Sequence, residues 1–448
     1  MSHMRGLLLV TCLGVAFSAP IATSDPANAD ITDIVINSTS EIGPFRGKQY
    51  QEIVATMNGT APGGSYSVPV TLAFPKRAGD HNGFAVVDII NTVPVVVDQW
   101  VLDRAPLPLA RIHIGDEFLF GAGNAYVGVT WDKKAVEQLG SGVIAQPSDA
   151  KQILLDAVTL VRDPMKHLPA GIDSARASGK IVAYGYSQTG GLLRGWYFDH
   201  LNTQGGTAVF DGALVAAAGG ACLDLVTGWK DCGGPLADGG KVIVLSTETD
   251  AELGGYAERG EHPDYRVIEI AGVSHIPASA ANFRQHGMPD QNPVGFEAVF
   301  RAALVNLQAW LGGEEPPPSI MIDISDTPSR EWDGVAIRPA LRDTDGNALG
   351  GVRLPHMLAV LDDGTKAGAP LGQYTGLAWN YEENNWLFVI SGTYKPFSQD
   401  KLRDLYPTQD AYVSAVSRAA ARLESQRYIL KEDSDAYVEA ATKVAVSP

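Results

Sequence analysis

Positive charge is scarce in this chain: 34 Lys and Arg stand against 51 Asp and Glu, a formal net charge of −17 over 448 residues. No basic run, and no interleaving of basic with aromatic residues, offsets that acidity. The electrostatic footprint of a protein that grips phosphate backbones or anionic lipid is therefore missing, and neither a nucleic-acid nor a membrane partner is expected. No segment beyond the N-terminus approaches the roughly 18 consecutive apolar residues of a membrane span. Cysteine is rare, at three residues, and no histidine stands at ligand spacing from Cys222 or Cys232, which argues against a thiolate zinc site. Asp-rich turns occur (Asp345-Gly346-Asn347, Asp362-Asp363-Gly364), but none carries the full ligand pattern of a calcium loop, so they read as turns. No metal is expected, and no internal repeat or low-complexity tract is present.

What remains is the composition of a globular protein with a large core, 45% hydrophobic and 19% charged. Arg5 precedes an apolar stretch from Leu7 to Phe17, and Ala27-Asn28-Ala29 puts small residues at the spacing signal peptidase prefers. Residues 1–29 thus read as a cloning scar, Met1-Ser2-His3, followed by a signal peptide, with the mature chain starting near Asp30. Thr11 before Cys12 fits a lipoprotein cleavage site poorly, so a soluble exported protein, periplasmic or extracellular, is expected. In such an oxidising compartment, Cys222 and Cys232 are expected to form a disulfide that closes a small loop.

Apolar, β-rich runs recur at Ser67–Phe74, Phe84–Ile90, Tyr126–Trp131, Ile181–Tyr184, Ala213–Ala218, Val242–Leu245 and Tyr265–Ile270. Helical stretches lie between or after them, at Lys151–Arg162, Leu192–Leu201 and Phe296–Leu311. Near-continuous apolar strands alternating with helices imply an α/β fold whose mostly parallel sheet is covered on both faces. The opening region, with Tyr50–Met57 and the Asn58-Gly59-Thr60 turn, has no helical pattern and reads as an antiparallel edge of the same sheet. The run Gly312-Gly313-Glu314-Glu315-Pro316-Pro317-Pro318 cannot continue a helix. It divides a core, residues 30–318, from a C-terminal extension, residues 319–448, of different texture: turn signals, an aromatic stretch from Tyr374 to Tyr394, and helical stretches at Asp410–Ser425 and Ser434–Val444. The extension is expected to pack on the core rather than form a separate domain.

The chemistry concentrates at Gly185-Tyr186-Ser187-Gln188-Thr189-Gly190, between the strand Lys180–Tyr184 and a helix. A strand that turns sharply into a helix pushes the central side chain out over the sheet edge, and the helix N-terminus behind it favours developing negative charge. Ser187 is that central residue, a candidate nucleophile that needs a base and an acid. Downstream, the strand Val242–Leu245 runs into Ser246-Thr247-Glu248-Thr249-Asp250, and the strand Tyr265–Ile270 runs into Gly272-Val273-Ser274-His275. Parallel strands all point their carboxyl ends the same way, so these loops can converge. A serine hydroxyl is a poor nucleophile until a base takes its proton, histidine titrates near neutrality, and a carboxylate fixes its tautomer. His275 is the candidate base; Asp250 is favoured as the acid, with Glu248 as the alternative. The oxyanion donors are expected to be the Gln188 N–H and the loop after Phe84–Ile90, at Asn91 and Thr92.

These residues resemble the α/β-hydrolase superfamily, in particular a largely bacterial, often exported family known only as "alpha/beta hydrolase domain". The Gly185–Gly190 elbow, the Glu248-Thr249-Asp250 turn and Gly272–His275 carry the likeness. So do Asp345-Gly346-Asn347-Ala348-Leu349-Gly350-Gly351-Val352-Arg353-Leu354-Pro355, Tyr374-Thr375-Gly376 and Tyr394–Phe397 in the final region. Thr189, where the superfamily's commonest elbow has glycine, is similar to this subgroup. The resemblance implies a sheet of about eight strands, no cofactor, and hydrolysis of small-molecule carboxylic esters. Tyr186, His286 and Arg353 are expected to line the substrate pocket, which Trp379, Tyr381 and Trp386 of the extension would help shape. Acyl transfer to an alcohol, and cleavage of amides, thioesters or lactones, would use the same three residues. A binding module on this scaffold is the remaining alternative.

Overall fold

Consecutive residues of each central strand point to opposite faces, and in this chain both faces are apolar. Val86 and Val87, Val182 and Ala183, Leu214 and Val215, and Ile243 and Val244 are all buried, one of each pair in the core on either side of the sheet. Strands of that kind are stable only when helices cover both faces. A computed structural model describes residues 30–92, 95–97, 100–102, 106–232, 238–254, 262–278, 288–332, 335–357, 359–360, 366–379 and 386–446.

A nine-stranded sheet organises the described residues. Its strands are β1 (Ile31–Phe45), β2 (Lys48–Ala61), β3 (Gly64–Pro75), β4 (Phe84–Ile89), β5 (Ala125–Val129), β6 (Lys180–Tyr186), β7 (Gly212–Ala216), β8 (Lys241–Thr247) and β9 (Tyr265–Ile270). Their order is β1-β2-β3-β5-β4-β6-β7-β8-β9. The first four neighbours pair antiparallel, and from β5 onward every pairing is parallel. The sequence expects about eight strands; the additional one is β1, whose residues are mostly exposed and so carry no apolar run to announce it.

Helices α1 (Ala150–Arg162) and α2 (Gln188–Phe198) cover one face, burying Ile153, Leu154, Leu193 and Trp196. Helix α3 (Glu248–Glu252) is a single turn after β8, and α4 (Glu297–Leu311) covers the other face with Val299, Phe300, Ala303 and Leu304. Beyond Pro318, residues Ile322, Val352, Leu354 and Tyr374 join that second core, as do Ala420 and Leu423 of α5 (Gln409–Ser425). Helix α6 (Lys431–Lys443) follows, its Asp433 held by Arg301 of α4.

This part of the chain also extends the hydrogen bonding of β9. The Ile320 N–H donates to Val267 O at 2.9 Å and the Val352 N–H to Glu269 O at 2.7 Å, with Ile320 and Val352 bridged in parallel to the strand. No helix among the described residues is long and apolar enough to cross a membrane.

Candidate active site

Ser187 lies between β6 and α2 with φ 55° and ψ −111°, a left-handed conformation that a non-glycine residue adopts only when its surroundings enforce it. The surroundings do so: its N–H donates to Ala216 O at 2.9 Å and its carbonyl accepts from the Gly191 N–H at 2.8 Å. Two glycines are required by close approach. A Cβ on Gly185 would lie 2.3 Å from Thr189 O, and one on Gly190 would lie 2.3 Å from Ala216 O of β7. Thr189 explains why the elbow tolerates a side chain where glycine is commoner. Its hydroxyl turns inward and accepts from the Tyr186 N–H at 3.0 Å, leaving Gly190 to make the contact with the neighbouring strand.

The turn after β8 holds the carboxylates. Asp250 forms a capping box with Thr247, its Oδ2 accepting from the Thr247 N–H at 3.0 Å and the Thr247 hydroxyl at 2.7 Å. The other oxygen, Oδ1, stands 3.0 Å from His275 Nδ1, and His275 Nε2 stands 3.0 Å from Ser187 Oγ. The three side chains therefore form one continuous hydrogen-bonded line, with Asp250 buried and Ser187 and His275 partly open. Such a line can carry a proton from hydroxyl to imidazole while the carboxylate stabilises the resulting cation.

Glu248 faces elsewhere. Its Oε2 accepts from the Gly272 N–H at 2.7 Å, and its Oε1 accepts from Arg342 at 2.7 Å and from the Gly376 N–H at 3.0 Å. Fully buried, it ties the histidine loop to the C-terminal part instead of meeting His275. Thr249, unremarked in the sequence, bridges the same parts: its hydroxyl accepts from the His275 N–H at 3.0 Å and donates to Gly376 O. A Cβ on Gly376 would lie 2.4 Å from Thr249 N, so the two loops touch backbone to backbone. Asn292 adds a third tie, donating to both Gly272 O and Thr375 O at 2.9 Å.

Tyr186, expected to meet substrate, points beneath the site. It is buried, and its hydroxyl donates to the carbonyl of His275, so the residue before the serine pins the main chain of the histidine. Burial first, then the charges of Asp250 and Glu297, push that hydroxyl well above its usual pKa and keep it a donor. Behind it sits His113, whose ring centroid is 4.4 Å from that of Tyr186 and whose Nδ1 is 2.7 Å from the Tyr184 hydroxyl. Burial, and secondarily His275, push His113 down to about 3, so it stays neutral. Its location in a π-helical turn, Arg111–Gly115, is invisible to periodicity in the sequence.

The loop after β4 divides its two candidates. Asn91 is spoken for: its N–H donates to Leu107 O at 3.2 Å and its side-chain amide to Tyr186 O at 2.8 Å, so it clamps the loop to the elbow rather than presenting a donor. The Thr92 N–H and hydroxyl both point at Gln188 Oε1, at 3.0 and 3.2 Å. The Gln188 backbone N–H, in the first turn of α2, has no acceptor among the described residues.

Arg353 does not reach the site. It is buried in the C-terminal part, paired with Asp343 at 2.7 Å and donating to Ala348 O, so its guanidinium is taken up in holding the 343–348 turn. His286 and Tyr381 lie outside the described residues. Trp379 and Ile276, the residue after His275, each pack against the cluster of Leu377, Val389 and Ile390, while Trp386 is exposed. The Cys222–Cys232 disulfide is present, with Cα atoms 5.7 Å apart, closing a small hairpin (Ala221–Asp224, Gly228–Asp231) against α2. Among the described residues no cluster of His, Cys, Asp and Glu is arranged to hold a metal ion.

No curated protein matches the sequence significantly. Among solved structures, the rice cell wall degrading esterase LipA from Xanthomonas oryzae is similar at 14% identity and a TM-score of 0.27, over 40% of this chain and 49% of that one. The match thus spans about half of the LipA chain. A glucuronoyl esterase from Solibacter usitatus is similar at 12% identity and a TM-score of 0.31, over 53% and 80% of the two chains. A promiscuous CE15 esterase from a marine bacterial metagenome is similar at 10% identity and a TM-score of 0.29, over 53% and 80%. A family model described as "Alpha/beta hydrolase domain" matches residues 54–439, which takes in the sheet from β2 onward, all three loops of the hydrogen-bonded line and most of the C-terminal part. With that match over most of its length, the chain belongs to the alpha/beta hydrolase domain family.

Proposed function

We propose that this hydrolase-family protein is an exported serine esterase that works through an acyl-enzyme on Ser187. One observation carries the reading: Ser187 Oγ, His275 and Asp250 Oδ1 are joined by two hydrogen bonds of 3.0 Å each. As Ser187 Oγ bonds to the ester carbonyl carbon, its proton passes to His275 Nε2. Asp250 keeps the other nitrogen protonated and stabilises the imidazolium; its cap bonds to Thr247 hold it from rotating away. The imidazolium then protonates the departing alkoxide, and water, deprotonated by the same histidine, releases the acyl group. Gln188 N–H is the first oxyanion donor, reinforced by the dipole of α2. Thr92 N–H is the second, freed when the Gln188 side-chain oxygen that it now meets yields to the substrate oxygen.

An ester is the preferred acyl donor because its carbonyl is more electrophilic than that of an amide and its alkoxide departs more readily. Residues from Ser319 onward are assigned a part in shaping the mouth, supported by the packing of Ile276 against the cluster of Leu377, Val389 and Ile390. Export is supported by the N-terminal pattern of Arg5, Leu7–Phe17 and Ala27-Asn28-Ala29, and by the disulfide. The test is labelling by a fluorophosphonate probe. The expected result is one adduct on the intact protein and none on Ser187→Ala; equal labelling of both, or of neither, overturns the mechanism. Product analysis with competing alcohols then separates hydrolysis from acyl transfer.

A further inference from the structure

Far from the triad, Asp156 of α1 has a fully buried carboxylate. It accepts from the Tyr66 hydroxyl of β3, from Gln152 Nε2 one turn earlier at 3.0 Å, and from the backbone nitrogen of Asp30 at 3.1 Å. No Lys, Arg or His among the described residues forms an ion pair with it. Burial pushes Asp156 up to about 6, and the charge of the Asp30 carboxylate adds to that effect. A buried carboxylate facing a second carboxylate without a cation is an expensive arrangement.

One of its three donors can become a cation. The Asp30 nitrogen directly follows Ala27-Asn28-Ala29, the small-residue pattern of a signal-peptidase site. In the uncut chain it is a peptide nitrogen with a single hydrogen. Hydrolysis of the Ala29–Asp30 bond by water leaves a carboxylate on Ala29 and an ammonium, with three hydrogens and a positive charge, on Asp30. We infer that Ala29–Asp30 is the processing site of the exported chain and that the released Asp30 α-ammonium docks on the Asp156 carboxylate.

The surroundings fit an ammonium. Asp30 is half-buried, and its carbonyl is fixed by the Thr60 N–H at 3.0 Å. Gly59 makes room: a Cβ there would lie 2.8 Å from Asp30 O and 2.4 Å from the Tyr66 hydroxyl. The first residue of the mature protein would thereby anchor β1, the outermost strand of the sheet, to α1 on its face. Processing would give the exported form an ion pair that the precursor lacks.

The inference rests on the export reading but not on the esterase chemistry, and two experiments keep its halves apart. Full-length protein recovered from an exporting bacterial host should have the intact mass of a chain starting at Asp30; an uncut chain, or another start, overturns the processing site. Separately, a chain made to start at Asp30 by removal of a cleavable fusion is compared with one carrying Gly-Ser ahead of it. With an amine-reactive reagent near neutral pH, the Asp30 amine should label about tenfold more slowly folded than in denaturant, because pairing with a carboxylate raises its pKa. The Gly-Ser amine should label about equally in both states, and Asp156→Asn should abolish the protection of Asp30. The Asp30-first chain should also melt about 1–3 °C higher than the extended one. A folded-to-denatured ratio near one in the unsubstituted Asp30-first chain overturns the docking, whether or not Asp156→Asn folds.

Discussion

Before Pro318 the molecule is held by apolar strands pressed between helices: Val87, Ala183 and Val215 have no exposed surface, and α2 and α4 close over the two faces. After Pro318 the strands shrink to a few residues, and buried charge takes over much of the work. Arg342 lies between Glu248 and Glu252, Arg353 on Asp343, and Asp433 of α6 on Arg301 of α4. The two regions meet at the carboxylate turn after β8, whose neighbouring acids divide between them, Asp250 facing His275 and Glu248 facing Arg342 and Gly376. The difference teaches that one short turn serves chemistry on one side and attachment on the other. An apolar core tolerates volume-conserving exchange, whereas a buried ion pair does not survive the loss of one partner.

That division can be broken at its sharpest point by exchanging each acid for its amide. Asp250→Asn should lower kcat by about four orders of magnitude, since the amide fixes the wrong imidazole tautomer. Glu248→Gln should leave kcat within about tenfold while lowering the unfolding midpoint. Comparable losses of kcat in the two variants, measured on one chromogenic ester, would erase the distinction. A smaller effect, now on stability, is expected from Arg342→Met. It strands two buried carboxylates and should cost about 3–5 kcal/mol, read as a shifted denaturation midpoint. Burial, then the charge of Glu248, holds Glu252 up at about 7, so this loss should ease as pH falls and the stranded pair takes up a proton.

A pH-dependent effect, absent at neutral pH, compares one histidine from each region, His113 buried and His356 partly open. Burial pushes His113, beneath the elbow, down to about 3, and His356, in the C-terminal part, down to about 4. Both are neutral when folded and take up a proton near pH 6.5 when unfolded, so each contributes stability that is full above that pH and declines as pH falls. The slope approaches about 1.4 kcal/mol per pH unit for each histidine. It should end near pH 4 for His356 and continue to near pH 3 for His113. Denaturation midpoints of His113→Gln and His356→Gln across pH 3–7, set against the unsubstituted chain, read the two windows separately. Identical profiles for all three would remove both assignments.

Strands β4 to β9 were legible in the sequence because a strand buried on both faces is apolar at most of its positions, even where it admits an Asp88 or a Glu269. The three loops of the hydrogen-bonded line were legible because chain order and parallel direction together fix which strand ends converge. β1 was not, since a long strand exposed along most of its length has no apolar run. Neither was Arg353, because nothing local reveals that Asp343, ten residues earlier, awaits it inside. Asn91 was misread for a related reason: whether a loop N–H is available depends on Leu107 O, a partner from a distant part of the chain. Thr249 did leave a trace, as the residue between two acids in a capping-box turn, but its role follows from Gly376, more than a hundred residues away in the chain.

The main-chain bonds that Ile320 and Val352 make to β9 have a consequence for any attempt to shorten the protein. A chain ended before Ser319 would leave Val267, Glu269 and Ala271 with unsatisfied amides and carbonyls along an open, apolar strand, a template for edge-to-edge association. Truncation should therefore yield insoluble or self-associating material rather than a smaller monomer, as light scattering would report. Charged residues placed on the outward side of β9 would be the first remedy to try.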